Sequence, residues 1–489
     1  MIAWLVGALV LQGSGGTVIR GGTVYDGSGG KPFVADVRIE GDRIVAVGRV
    51  PVRVGDTVIS AKGMAVSPGF IDAHSHADGG IFDDLNAETQ VRQGITTSVV
   101  GEDGGSALPV DEFFGKLKAT PAALNFASFV GHGTVRNAVM GDADRAPTAD
   151  ELQKMRDLVG QAMAQGALGL STGLEYVPNR YAKTDEVVEL AKVAARSGGI
   201  YISHIRNEDN HAMEAFRELI TIAREAKIPA EINHIKLGSE RVWGKAGEVG
   251  KLIADARKEG LDVTADVYPY TFWQSTIRVL IETEQFDDRK QWEKGLADVG
   301  GAGHVLLTAF EPDKSWAGKT LAQLSVEQKK DPVTLAQEIV ARTKGMRGGE
   351  GVVVTAMSEK DLATFIANPL ISFCSDGGLH GTHPRGAGSF PRVLGVYVRE
   401  RHVIGLPEAI RKMTSFPASR FGFKDRGFLK PGMKADVVIF DPKTVKDRST
   451  TKEPEAAPVG IPTVFVNGKA VLLRGQITGE HPGQVIRRG

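Results

Sequence analysis

The sequence predicts an α/β protein built on a parallel (β/α)8 barrel, with a small β sandwich contributed by both chain ends. Three observations carry this prediction. Through the middle of the chain, short apolar segments alternate with amphipathic helical stretches, the pattern of repeated βα units. Near both ends, apolar and polar residues alternate with period two between Gly and Asp turns. Histidines and carboxylates recur just where the apolar segments of the middle region stop, which is where such a barrel keeps its chemistry.

The elements follow in order. Residues 1–16, "MIAWLVGALVLQGSGG", form a signal-like segment, with an apolar run from Ile2 to Leu11 followed by small residues. The segment lacks a basic stretch and is too short to span a bilayer, so cytoplasmic and exported locations both stay open. Residues 17–66 read as strands in "TVIRGGTVYDGSGG", "VADVRIEGDRIVAVG" and "DTVISAKGMAV". The same texture returns in 427–480, with "KADVVIFDP" and "TVFVNGKAVLLRGQITG". Neither end has enough strands to close a sandwich alone, so the two are expected to form one composite β domain. Residues 67–426 form the barrel. Its strand candidates are "GFIDAH", "ITTSVVG", "NFASFVG", "ALGLSTG", "GIYISHI", "AEINHI", "LDVTADVYPY" and "LISFCSD". Between them lie helices such as "TDEVVELAKVAARSG" and "AMEAFRELITIAREAK". Residues 282–350 are too long for one connection, carry "HVLLTAF" and "DPVTLAQEIVARTKG", and read as an insertion forming a lid. "GVVVTAM" is a ninth strand candidate.

The chain has 489 residues, enough for a large domain plus a smaller one. Lys+Arg and Asp+Glu are both 59, and this zero net charge argues against nucleic acid or an anionic membrane as partner. The one cysteine, Cys374, excludes an internal disulfide.

The stretch "SPGFIDAHSHAD" ends a short strand in Asp72, His74 and His76, which alternation directs to one side. Glu102 and Asp103 follow the second strand, His132 the third, His204 the fifth, His234 the sixth and Asp376 the eighth. So many polar strand ends exceed what capping needs. Imidazoles and carboxylates suit zinc. A divalent ion there would acidify water and polarise a carbonyl, and Asp376 would move the proton. His132 reads as structural, and His380 and His383 as positioning or solvent-facing groups. His211, His304, His402 and His481 have no strand-end context.

"PGFIDAHSH", with His204, His234 and Asp376 in that order, resembles the amidohydrolase superfamily. "GLSTGLEYVPNRYA", "SHIRNE", "NHIK", "DVYPYT" and "HPRGAGSFPRVLGVYVRE" are similar to the D-aminoacylases, the N-acyl-D-amino-acid deacylases, over nearly the whole chain from Thr17. The resemblance implies one or two zinc ions, with His204 and His234 holding the tighter one and His74 and His76 the neighbouring site. It implies Asp376 as catalytic base and acid, and Arg385, Lys236, Tyr268 or Tyr270, Ser275 and Tyr176 around a small-molecule substrate. It implies no oligomeric state. One departure stands out. The family carries Asn-Cys-Gly after the second strand, with the cysteine a metal ligand, and this chain has Glu102-Asp103-Gly104. Asp103 takes the cysteine position, with Glu102 beside it. The expected activity is hydrolysis of linear N-acyl-D-amino acids. The alternatives are a cyclic-amide hydrolase of the dihydroorotase or hydantoinase type, and a metal-free scaffold. The first of these bridges its metals with a lysine after the fourth strand, where this chain reads "LSTGLEY".

Overall fold

A computed structural model describes residues 15–281, 283, 285–346 and 348–488; the signal-like reading of the first residues falls largely outside them. Eight parallel strand positions form the barrel: Phe70–Asp72, Ile95–Val100, Asn125–Ser128 continued by Val130–Gly131, Gly169–Gly173, Ile200–His204, Ala230–Ile232, Val263–Val267 and Ile371–Phe373. Neighbouring strands pair in parallel in sequence order, so each strand end faces the same mouth. The strands are buried on both faces, as expected when helices cover a parallel sheet. Where the eighth strand meets the first, side-chain and loop bonds complete the ring. Asp72 accepts the Ser375 backbone N–H at 2.7 Å and also the Ser375 hydroxyl. Beyond them, Asp376 N–H donates to the His74 carbonyl (2.9 Å) and His76 N–H to that of Gly377 (3.0 Å). Asp72 thus binds strand to strand and sets His74 and His76 beside Asp376.

The two helices read from "TDEVVELAKVAARSG" and "AMEAFRELITIAREAK" run Thr184–Arg196 and Ala212–Ala226. Each turns one apolar stripe inward: Val187, Leu190, Ala191 and Ala194 on the first, Phe216, Leu219, Ile220 and Ala223 on the second. The chain ends meet in a nine-stranded sheet in which Ala65–Pro68 pairs with Val437–Phe440. Thr17–Val24 pairs along one edge with Phe33–Glu40 and along the other with Thr57–Ser60 and Ala65–Pro68. The branched sheet encloses its own core of Ile19, Val37, Ile44, Val66, Val437 and Phe465.

The segment read as an insertion carries a four-stranded antiparallel sheet in the order Phe272–Ser275, Glu350–Thr355, Val305–Phe310, Lys319–Thr320. "GVVVTAM", the ninth strand candidate, therefore pairs here and not in the barrel, and Phe272–Ser275 joins it. Helices Arg289–Asp298, Leu321–Gln328 and Pro332–Arg342 pack on this sheet around Trp292, Leu307, Leu335 and Ile339, a core separate from that of the barrel. Burying each such side chain contributes about 1.5–3 kcal/mol, which gives the insertion its own folding drive. Asp331 starts the last helix by accepting the N–H groups of Val333 and Thr334, with Pro332 in its first turn. No helix among the described residues is long and apolar enough to cross a membrane.

Candidate metal centre and active-site cavity

Three groups of ligand-type atoms converge at the C-terminal mouth of the barrel. His74, His76, Asp103 and Asp376 form one, Asp103, His204 and His234 another, and Asp103 belongs to both; Glu175, His204 and Glu208 form a third beside the second. Asp103 Oδ1 lies 3.3 Å from His234 Nε2, 3.6 Å from His74 Nε2 and 3.9 Å from His204 Nδ1; its Oδ2 lies 3.4 Å from His76 Nε2. Asp376 Oδ1 lies 3.3 Å from His76 Nε2 and 3.5 Å from His74 Nε2. Ligands held ~2.0–2.1 Å from a tetrahedral zinc stand about 3.3 Å from one another, so the spacing suits a shared cation better than direct hydrogen bonds. His74 Nε2 supports this: it is buried without a hydrogen-bond partner and faces both carboxylates. The donor set fits zinc.

The backbone is bent to achieve this. Asp103, His234 and Asp376 have φ of 52°, 34° and 50°, the left-handed region that non-glycine residues avoid. The turn at Asp103 carries its carboxylate among the four histidines, and the fourth strand makes room with a glycine. A Cβ on Gly173 would stand 2.2 Å from the Asp103 carbonyl oxygen.

Electrostatics separate the groups. Burial pushes His74 down to about 4, favouring the neutral, lone-pair form a metal needs. Burial also opposes charge on His76, but the Asp103 and Asp376 carboxylates outweigh it and raise it to about 10. For His234, burial and Lys236 are outweighed by Asp376, Glu208 and Asp103, again to about 10. Asp376 is held well below the usual carboxylate range despite burial, chiefly by Arg385, whose Nη1 lies 2.5 Å from Asp376 Oδ2.

Of the two acids after the second strand, the structure turns only Asp103 into the ligand groups. Glu102 points beneath them, its Oε2 accepting from Asn233 Nδ2 at 2.7 Å and its Oε1 without a partner. Burial first, then Asp266 and Asp103, raises its pKa well above the ordinary value. Arg385, Lys236, Tyr176 and Ser275 all line the cavity above the centre, which has a volume of about 250 Å³. Tyr268 lies under both cations, its ring 4.9 Å from Arg385 Cζ and 5.6 Å from Lys236 Nζ. Tyr270 points away, its hydroxyl near the Pro384 carbonyl and Ser449, so of the two tyrosines only Tyr268 meets the site. His132 is tied to Asn179 and Glu186 outside these groups, and His383 braces the loop by binding the Phe272 carbonyl and the Arg385 N–H.

Sequence reading missed two carboxylates. Glu175 accepts from His204 Nε2 at 2.7 Å, leaving His204 Nδ1 to face Asp103 and His234. Glu208 accepts Lys236 Nζ on both oxygens (2.6 and 2.7 Å) and lies 3.1 Å from His234 Nδ1. Both follow barrel strands, in "GLEY" and "SHIRNE", so the strand-end rule would have found them. Lys294 and Asp298 of the insertion line the cavity above the centre, with Trp273, Val279 and Leu280 from the segment that leads into the insertion. Asp298 is fastened to the barrel loops by Asn210 Nδ2 (2.8 Å) and the Arg241 guanidinium.

The family profile described as "Amidohydrolase family" matches residues 57–298 and 335–472. The D-aminoacylase of Alcaligenes xylosoxydans xylosoxydans is 35% identical over 499 residues, covering 96% of this chain and 97% of that protein. The N-acyl-D-glutamate deacylase of the same organism is 35% identical over 495 residues, 96% of each chain. The crystal structure of the N-acyl-D-glutamate deacylase from Bordetella bronchiseptica, complexed with zinc and a phosphonate mimic of the tetrahedral intermediate, superposes with a TM-score of 0.86. It is 34% identical, covering 96% of this chain and 99% of that one. With the same barrel, the same composite sheet and this level of identity along almost its whole length, the chain belongs to the amidohydrolase family, in its D-aminoacylase branch.

Proposed function

We propose that this protein is a zinc-dependent hydrolase that cleaves the amide bond of N-acyl-D-amino acids, giving a carboxylate and a free D-amino acid. The observation that carries this is a charged acid, Asp376, that belongs to one ligand group and pairs with a largely buried guanidinium, Arg385, in one cavity. His204, His234 and Asp103 would hold one ion, and His74, His76, Asp103 and Asp376 a second. A divalent ion there supplies Lewis acidity, polarising the amide carbonyl and acidifying water.

The chain's own groups do the rest. Asp376, kept ionised, accepts the proton of the attacking water and returns it to the amide nitrogen as the C–N bond breaks. Arg385 and Lys236, joined by the Tyr268 face, offer two cations to the α-carboxylate. With the carboxylate pinned at one end and the carbonyl at the other, the two α-substituents meet different walls, and one enantiomer fits. The docked insertion excludes bulk water and strengthens each of these interactions. The fourth strand ends in Gly173-Leu174-Glu175, without the bridging lysine of the cyclic-amide hydrolases, which favours a linear substrate.

The test is a screen of N-acetyl-D-amino acids and their L-enantiomers, with metal-stripped and zinc-supplemented protein, reading released amine. Zinc-dependent, D-selective release is expected. Release from no D-substrate by zinc-loaded protein refutes the reading.

A further inference from the structure

The geometry points to an extended acyl subsite: we propose that the cavity beyond Tyr176 receives the acyl group, and that the enzyme prefers uncharged acyl chains of about four to eight carbons over acetyl. The proposal rests on the deacylase reading above and names the substrate class of that same site.

A second cavity of about 420 Å³ adjoins the first, and Glu175, Tyr176 and Val279 are walls of both. Those three residues are the boundary across which it can extend the active site. A run of contacts leads from Arg385 to its entrance. Arg385 pairs with Asp376; Asp376 and Asp103 flank His76 at 3.3 and 3.4 Å; Asp103 lies 3.9 Å from His204; His204 binds Glu175. Arg385 lines only the first cavity, while Glu175 and Tyr176 line both. A substrate with its carboxylate at Arg385 and its carbonyl at the centre can send its acyl group past Glu175 and Tyr176 into the second. The Tyr176 ring lies 4.6 Å from that of His204, at the junction of the two spaces.

The walls suit a neutral, apolar chain. Leu174, Val177, Ile281 and Phe286 supply hydrocarbon surface. Three arginines, Arg180, Arg206 and Arg278, also line it, and none is without a partner. Arg206 is paired to both oxygens of Glu218, and Arg278 binds Glu350, the Val340 carbonyl and Thr343, so both present mainly their stems. Glu175, at the entrance, repels an anionic tail. A cavity of this size matches small-molecule subsites, and the insertion contributes Phe286 to it.

The experiment compares N-acetyl, N-butyryl, N-hexanoyl and N-succinyl derivatives of one D-amino acid on the zinc-loaded enzyme and on Val177→Trp. Val177 lines only the second cavity and is 43% exposed, so the larger ring has space to enter it. Each methylene leaving water gives about fourfold when fully buried, so partial burial of four should raise kcat/KM by about tenfold from acetyl to hexanoyl. Succinyl should fall below butyryl. Val177→Trp should abolish the hexanoyl advantage and leave acetyl turnover within about twofold. Phe286→Ala, which removes apolar wall without filling the space, should lower the hexanoyl advantage alone. Equal rates for acetyl and hexanoyl in the wild type overturn the proposal while leaving the deacylase reading intact. So does a Val177→Trp effect that tracks the amino-acid side chain instead of acyl length. Hydrolysis of none of the four overturns the deacylase reading and this proposal with it.

Discussion

Removing the Asp103 carboxylate should cripple metal binding more than any other change in the second-strand loop. Its two oxygens stand 3.3–3.9 Å from nitrogens of four histidines, and it is the one residue common to the first and second ligand groups. Asp103→Ala deletes an anionic ligand from both at once. Loss of a group that merely orients a metal ligand costs about 10–100-fold in affinity, so loss of the shared ligand itself should cost at least 100-fold, ~3 kcal/mol or more. Glu102→Gln, which keeps the Asn233 contact available, should change zinc affinity by less than about tenfold. Asp103→Cys, which restores the ligand type of the family, should retain tight zinc. Competition against a chelating dye at substoichiometric zinc, with metal content after dialysis, measures all three. Wild-type zinc affinity in Asp103→Ala would refute the bridging role, whatever happened to turnover.

Four further outcomes are expected. Asp376→Asn should fold and keep at least one zinc while turnover falls by about 10²–10⁴; rates near wild type would remove Asp376 from proton transfer. Arg385→Lys keeps the charge but loses the planar fork, and should cost roughly 1.5–3 kcal/mol in kcat/KM on N-acyl-D-amino acids. Little loss is expected on matching amides without the α-carboxylate, and equal losses on both would make Arg385 structural. Glu175→Gln should weaken zinc binding by about 10–100-fold, because the carboxylate fixes which His204 nitrogen faces the metal; unchanged affinity would limit Glu175 to lining the cavity. In the β domain, the Arg38 hydrogen bond and the backbone N–H groups of Arg53 and Gly16 lower Asp56 to about 2. A lowered folded pKa stabilises above the unfolded value of about 3.9. That contribution is lost as pH falls through the folded value, so the Tm gap between wild type and Asp56→Asn should close between pH 5 and pH 2. A gap independent of pH would count against it.

Local pattern determined much of this protein. The period-two alternation that runs through "GFIDAHSH" sends His74 and His76 to one side, and the helical stripes of Thr184–Arg196 and Ala212–Ala226 mark their inward faces. The strand-end positions of His204, His234 and Asp376 place them at one mouth once the barrel closes. What local pattern lacks is the path of the chain between elements. Glu102 and Asp103 are adjacent and chemically alike; with a left-handed turn at Asp103, one joins the ligand groups and the other bonds to Asn233. Tyr268 and Tyr270 look equivalent by alternation, yet the chain leaves the seventh strand after Val267, and only Tyr268 meets the cations. Asp72 follows the same alternation as the two histidines, and its partner turns out to be Ser375, 303 residues later in the chain, just after the eighth strand. The pairing of Phe272–Ser275 with Glu350–Thr355 is likewise a hydrogen-bonded ladder between distant segments. Periodicity specifies which face of an element is apolar; which distant backbone completes its hydrogen bonds, and which side chains a strained turn brings together, is decided only when the whole chain packs.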